Sequence, residues 1–435
     1  MSLFGAMNTA VSGLSAQSAE FTNISNDVAN SQTTGYKRVD TNFLDYLTTA
    51  TPTFDNSSVV VATPEYVNNV QGTITQTDNP LAMAISGQGF FGVSEASGTA
   101  KGQPVFSPQQ FYTQNGNFSM NNQGYLVNDA GQYLNGWAVD PATGLANQNA
   151  LAPIQVSQAA YNPVATSEVD LAANLPAAPS SPTPITSQVQ VYDGLGNLQT
   201  VNLTWTQTAA NTWTVAINAP NATNGPALGT AQVDFGATSG NPVPPGTIGS
   251  LTNGTGTVTT SGYSPGGTAS LSFTANFGNG PQAIALNLGA FGASNGLTQY
   301  AGTSYTLNNL SQNGVPAGGF SNVSVNSNGN VIINYNNGQS QVIAQVPVIT
   351  FNAPNALQSQ NGQAFTATEA SGTPIANAAG SNGSGSLVIG AIEGSNVDIS
   401  SEFSQLIVAQ EAYSANTKTL STADQMVQSL LNVVQ

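Results

Sequence analysis

Apolar residues recur at every seventh position through the end of the chain. From Ile399 the row continues with Leu406, Tyr413, Leu420, Val427 and Val434. A second row, Phe403, Gln410, Thr417, Asp424 and Leu431, falls between them and completes a 4-3 spacing. That is the period of a helix lying along a neighbouring helix, and no Gly or Pro interrupts it. Asp398 is placed to cap the helix and Glu402 in its first turn suits the helix dipole, although Ser401 stands where a capping box would put Glu. The polar members Gln410, Thr417 and Asp424 are expected to set register at some cost in stability. The other end of the chain repeats the pattern with Met7, Leu14, Phe21 and Val28, and with Phe4 and Val11 between them. Ser18 and Ser25 weaken the second half of that seam. The spacing predicts a helix over 3–29, ended by the turn cluster Asn30-Ser31-Gln32-Thr33-Thr34-Gly35. Both stripes are too narrow for an ordinary core-facing helix, so the two ends are expected to pair with each other. So sparse a seam buries little against the entropy of ordering two long helices, and burial from outside the pair is expected to supply the rest.

Between the ends the period changes. Residues 37–70 lose the helical repeat and read as an extended connector with little structure of its own. From Gln71 the alternation is that of strands, punctuated by hairpin turns at Asn115-Gly116, Asn122-Gln123-Gly124 and Asn135-Gly136. A Pro-rich linker at 174–184 leads into a strand-dense block that carries Trp205 and Trp213, while 236–267 is Gly/Thr/Pro-rich and reads as long surface loops. The earlier β pattern resumes near Thr298, with Val331, Ile333 and Tyr335 alternating after the Asn328-Gly329 turn. The expected fold class is therefore multidomain: terminal α-helices forming a coiled-coil-like pair, with mainly-β outer domains nested between them. The expected boundaries are 1–36 for the N-terminal helix, 37–70 for the connector and 71–155 for the first part of a β-domain. An inserted β-domain at 156–290, the second part of the first β-domain at 291–395 and the C-terminal helix at 396–435 complete the set. The termini lie together at one end of such a nested layout.

Composition narrows the partners. The chain of 435 residues has a net charge of −16, no Cys, no His, and Lys37, Arg38, Lys101 and Lys418 as its four basic residues. So few cations argue against nucleic acid or an anionic membrane surface as partner. No apolar stretch is long enough for membrane insertion. The absence of Cys removes disulfides and thiolate metal sites, and the absence of His removes the commonest general base and metal ligand. No basic segment precedes position 37, so no cleaved secretory signal is expected, although the Asn/Thr/Ser/Gly-rich, Lys-poor composition looks extracellular.

Catalytic constellations are not found. Gly87-Gln88-Gly89 lacks the third glycine of a dinucleotide fingerprint. Asn326-Ser327-Asn328-Gly329 lacks the acids of a calcium loop. Glu168, Asp170 and Asp193 offer a carboxylate pair of the glycosidase kind only if they converge, and turn-capping or solvated acids are the plainer reading. Trp205 and Trp213 suit a β-core better than a sugar platform. No catalytic residue, cofactor or metal is expected, and the chain is expected not to be an enzyme.

Several segments carry a resemblance. Ser12-Gly13-Leu14-Ser15-Ala16-Gln17-Ser18, Asn26-Asp27-Val28-Ala29-Asn30 and Thr34-Gly35-Tyr36-Lys37 resemble the N-terminal signature of the bacterial flagellar rod and hook axial protein family. Thr77-Asp78-Asn79-Pro80-Leu81, Ile85-Ser86-Gly87-Gln88-Gly89-Phe90-Phe91 and Tyr112-Thr113-Gln114-Asn115-Gly116-Asn117-Phe118 are similar to its next block. Glu393-Gly394-Ser395-Asn396-Val397-Asp398 and Gln410-Glu411-Ala412-Tyr413-Ser414-Ala415-Asn416 are similar to its C-terminal signature. Asp27 departs from the family's usual Asn, Ala82 from a common acid, and Val315 from a usual aromatic. The large insertion, with Tyr192-Asp193-Gly194-Leu195-Gly196-Asn197 before a Trp-bearing strand, resembles the hook branch rather than the shorter rod branch. The resemblance implies a subunit of a curved, flexible tube that acts as a universal joint and transmits torque from basal body and rod to filament. The terminal helices would line its inner tube. The implied partners are copies of the chain itself, the rod, hook-cap and hook–filament junction proteins, and the type III export apparatus, which would carry the chain outside the cell without a cleaved signal. A distal rod subunit and a secreted β-rich adhesin or carbohydrate-binding module are the alternatives.

Overall fold

The computed structural model describes residues 3–51, 54–179, 184–238 and 240–434, with side chains inside them except at 3, 4, 47–51, 54–58, 430 and 432–434. The side chains of Phe4 and Val434, and part of the Pro-rich linker, thus lie outside the described residues. Helix α1 (Leu3–Ala29) and helix α2 (Ile399–Val434) occupy the two ends. Asp398 caps α2 as its position suggests, its Oδ1 accepting from the Ser400 and Ser401 N–H groups at 2.9 and 3.4 Å. Among the described residues no helix is long and apolar enough to cross a membrane.

The chain divides into two compact units. The first comprises Met1–Gln158, Asn322–Asn334 and Ser340–Gln435, so it is assembled from both sides of an insertion. Its main sheet interleaves them: Ser340–Gln345, Tyr133–Ala138, Phe91–Ser94, Phe111–Thr113, Ala364–Thr366 and Gln358–Gln360 are successive neighbours. Phe90, Tyr112, Ile349, Phe351, Leu357 and Phe365 form a core cluster in this unit. Its rings meet edge to face, Phe90 on Phe351 and Phe365 at 5.8 Å, and Tyr112 on Phe351 at 4.9 Å.

Residues 37–70 are not a featureless connector. They form a long antiparallel hairpin of β1 (Val39–Thr51) and β2 (Phe54–Tyr66), with Val39 opposite Tyr66. The hairpin packs against α1: the Val60 N–H donates to Ser12 Oγ at 3.2 Å, and Asn23 Nδ2 to Thr41 Oγ1 at 2.8 Å. Thr-rich extended segments without clear alternation hide such a ribbon, because its stability comes from cross-strand pairs and from the helix beside it.

The second unit, Ala159–Ser321 with Tyr335–Gln339, is the insertion. It runs past the expected boundary at 290, because Leu297–Thr298 and Thr306–Gln312 both pair with Glu168–Asn174. Ile185–Tyr192, Leu198–Ala209, Thr212–Asn218, Ala227–Phe235 and Ile248–Thr252 form a separate five-stranded antiparallel sheet in chain order. The inward residues of this sheet and of the sheet built on Glu168–Asn174 share one core, so the unit is a β-sandwich. Trp205 and Trp213 are fully buried in it. The low-complexity stretch 236–267 contributes Val243, Ile248, Leu251 and Val258 to the buried set, so it is not merely surface loop.

Candidate functional site: the junction of the chain ends

The two ends of the chain are fastened to each other where α1 gives way to β1 and where the last strand gives way to α2. Lys37 and Glu393 carry the fastening. The Lys37 Nζ lies 2.7 Å from Glu393 Oε1, with both side chains almost wholly buried, and also donates to the Val70 carbonyl at 2.7 Å. Glu393 Oε1 accepts a further bond from the Gly72 N–H at 2.8 Å, and the Glu393 carbonyl one from the Gly35 N–H at 2.8 Å. Burial lowers the Lys37 pKa from its usual range, and the Glu393 carboxylate opposes that shift. Two glycines make room. A Cβ at Gly72 would sit 2.1 Å from the Gly394 carbonyl oxygen, and Gly35, at φ +69°, abuts the backbone of Asn115. Asn396 completes the knot: its Oδ1 accepts from the Arg38 N–H at 2.8 Å, and its Nδ2 donates to the Val67 and Val70 carbonyls at 2.9 and 3.1 Å. The pairing of Ile74–Gln76 with Ala391–Glu393 carries the fastening into the sheets.

Next to this knot is an acidic cluster. Asp27, on the last turns of α1, is buried; its Oδ1 accepts from the Tyr36 hydroxyl at 2.8 Å, and the Val39 N–H lies 3.2 Å from both its oxygens. Burial pushes its pKa up to about 6, against those two hydrogen bonds. Glu402, on the first turns of α2, is equally buried, and its Oε1 has no hydrogen-bond partner. Burial, and then the charges of Asp27 and Asp40, push its pKa up to about 7. Burial and the bond to Asp27 also push the Tyr36 phenol up. Arg38, ion-paired with Asp40 at 3.3 Å, is the cation of the group.

From the cluster the helices run side by side. Gly13 lies against Asn416, where a Cβ would come within 2.8 Å of Nδ2, and the Phe21 and Tyr413 rings meet edge to face at 6.3 Å. With Asp27 beside Glu402, these contacts make the pair antiparallel. Of the expected α1 row, Met7, Leu14, Phe21 and Val28 are half-buried and Val11 is exposed. The most buried α1 positions are Ala10, Ala16, Ile24 and Asp27. The hairpin takes part of the burial, which a single-seam reading leaves out. On α2, Leu406, Leu420 and Val427 are half-buried, and Tyr413 reaches Phe21 from a partly exposed position.

The second row does not face α1. Phe403, Gln410, Thr417, Asp424 and Leu431 are all exposed. The row that completes the inner face stands one residue earlier: Glu402, Ala409 and Ala423 are buried, and Asn416 is half-buried. That row was visible as a heptad of small and polar residues, but apolarity alone favours Phe403 and Leu431. Small side chains let two helices approach closely, so Ala409, Ala423 and Gly13 mark the contact better than bulk does. The acids Glu168, Asp170 and Asp193 do not form a catalytic pair. Asp193 binds the N–H groups of Leu195 and Asn197 within its own turn, and Asp170 accepts from Asn287 Nδ2. Among the described residues no acidic cluster has the makings of a metal site.

Comparison with known proteins addresses the same segments. Family models match at residues 7–37 (flagella basal body rod protein), 84–168 (flagellar hook protein FlgE/F/G D1 domain), 162–315 (flagellar basal body protein FlaE D2 domain) and 389–433 (flagellar basal body rod FlgEFG protein C-terminal). The flagellar hook protein FlgE of Brucella suis is 30% identical over 438 residues, covering 100% of both chains. The chain belongs to the flagellar hook protein family. Similar hook proteins come from Salmonella typhimurium, 30% identical with 98% of each chain covered, and Escherichia coli, 29% identical with 98% of this chain and 100% of the other. A crystal structure of Helicobacter pylori flagellar hook protein FlgE2 is similar with a TM-score of 0.46 at 14% identity, covering 72% of this chain and 98% of that one. This hook-family chain is a structural subunit of the flagellum, and the distal-rod and adhesin alternatives are not favoured.

Proposed function

We propose that this hook subunit polymerises with copies of itself through the outer face of α2. The assembly is a curved, flexible tube that transmits torque from rod to filament as a universal joint. The observation that carries the reading is the exposed apolar face of a helix whose other face is already occupied. Phe403, Ile407, Val408, Met426 and Leu431 are each more than half exposed. Large apolar side chains left exposed towards both ends of one helix mark an interaction surface. In this reading Gln410, Thr417 and Asp424 set register against adjacent copies. Rod, hook-cap and junction proteins flank the tube, and the type III apparatus exports the chain without a cleaved signal. No catalytic turnover forms part of the function.

The experiment is sedimentation of the full chain under assembling conditions. Phe403→Asp with Val408→Asp is expected to abolish the fast-sedimenting polymer and to leave the circular dichroism of the single chain unchanged, since both side chains are exposed. Removal of residues 400–435 is expected to do the same to assembly. Polymer formation undiminished in both variants would exclude the α2 face as the contact.

A further inference from the structure

We propose that the Asp27–Glu402 pair is a proton-controlled latch, which holds α1 against α2 when it carries a proton and loosens the helix pair when both carboxyls are charged. The inference does not depend on polymerisation. It starts from two acids contributed by different helices, each 1% exposed. Asp27 is supplied with donors by Tyr36 and by the Val39 N–H. Glu402 is not: its Oε1 is buried and unpartnered, which is costly for a carboxylate and far less so for a neutral acid.

The surroundings offer little relief. The groups facing the pair are Asp398 at the cap of α2, Tyr36 in the turn after α1, Arg38 just before β1 and Asp40 on it. Arg38 is the sole cation among them and is shared with Asp40. Lys37 is nearby in sequence but is committed to Glu393 and the Val70 carbonyl. With both acids ionised, two further carboxylates, Asp398 and Asp40, and one shared arginine surround two buried like charges, the Tyr36 hydroxyl serves Asp27 alone, and separation of the helices is the available relief.

The sign follows from linkage. Both carboxyls hold protons more tightly in the folded chain than in an unfolded one, about 6 against 3.8 for Asp27 and about 7 against 4.5 for Glu402. Their contribution is fully present below about pH 4 and is lost as pH rises through about 7. The latch is closed in mild acid and open at alkaline pH.

Hydrogen exchange of the full chain tests it, with rates corrected for intrinsic base catalysis. Amides of residues 20–29 and 402–412 are expected to lose about tenfold or more in protection between pH 5 and pH 8, the change that one unit of pKa displacement supplies. Asp27→Asn and Glu402→Gln should each flatten the profile and raise protection at pH 8. Amides of the inserted β-sandwich serve as the internal control. Protection that is flat across the range, absent at both pH values, or equally pH-dependent in both variants overturns the proposal. Should a variant not fold, the carbon-13 titration of the Glu402 carboxyl in the unaltered chain decides: a midpoint near neutrality supports the latch, and one in the usual glutamate range overturns it.

Discussion

Lys37 shows how one residue can be misread from its neighbours. In sequence it is a cation among threonines and asparagines, at the start of what reads as open chain. In the fold it is buried, and it joins positions 356 residues apart. Breaking a buried pair from one side leaves the other charge without compensation, which costs about 3–5 kcal/mol. Lys37→Met is accordingly expected to lower the unfolding free energy of the first unit, read from urea melts, by that order. Adding Glu393→Gln should restore part of the loss, because a neutral amide oxygen still accepts from the Gly72 N–H while the stranded charge is gone. A double variant no more stable than Lys37→Met would show that the Glu393 charge is not what destabilises the single variant. Lys37 was legible as part of a motif, but its partner was not. No local pattern ties it to Glu393, since the contact exists only once the ends are brought together.

At the scale of elements, the helices were legible and the hairpin was not. A helix of 27 or 36 residues repeats its pattern many times, so α1 and α2 could be read from spacing alone. The β1–β2 ribbon has Phe43, Leu44, Tyr46 and Val61 exposed, so its strands lack the alternation that a half-buried sheet imposes. Its presence changes what protease should do. Trypsin acting on the native chain is expected to spare the bonds after Lys37 and Arg38, the first buried and the second held through its N–H by Asn396, and to cut after exposed Lys101 between the strands Ala96–Ala100 and Gln103–Phe106. After denaturation, mass spectrometry should find residues 102–418 as one piece, because no Lys or Arg lies within 102–417. Early native cleavage at Lys37 would mean that the ribbon opens in solution. The hairpin also covers a second side of α1, which gives that helix burial inside its own chain beyond what the α1–α2 seam supplies.

For the whole molecule, the nested order has an energetic consequence. Each unit has its own buried core, one with Phe90, Tyr112 and Phe365, the other with Trp205 and Trp213. Calorimetry is expected to resolve two transitions. Trp205→Ala, a large-to-small change at a fully buried site, should cost about 3–5 kcal/mol and move one of them while the other stays in place. A single transition that shifts as a whole would show that the two cores unfold together.

The sequence by itself determined the helical ends, the β character between them, the presence of an insertion and the family, because each is written in local periodicity or in contiguous motifs. The tertiary structure decided which face of α2 meets α1, where the insertion ends, and what the residues after α1 do. Heptad rows one residue apart differ only by a rotation about the helix axis, and apolarity cannot choose between them when the contact is made by Ala409, Ala423 and Gly13. The strand Thr306–Gln312 looks like its successors in sequence but pairs back to Glu168–Asn174. Asp27 and Glu402 became a pair only when the two helices were laid side by side, since burial and the neighbouring charge arise from that contact and not from either segment alone.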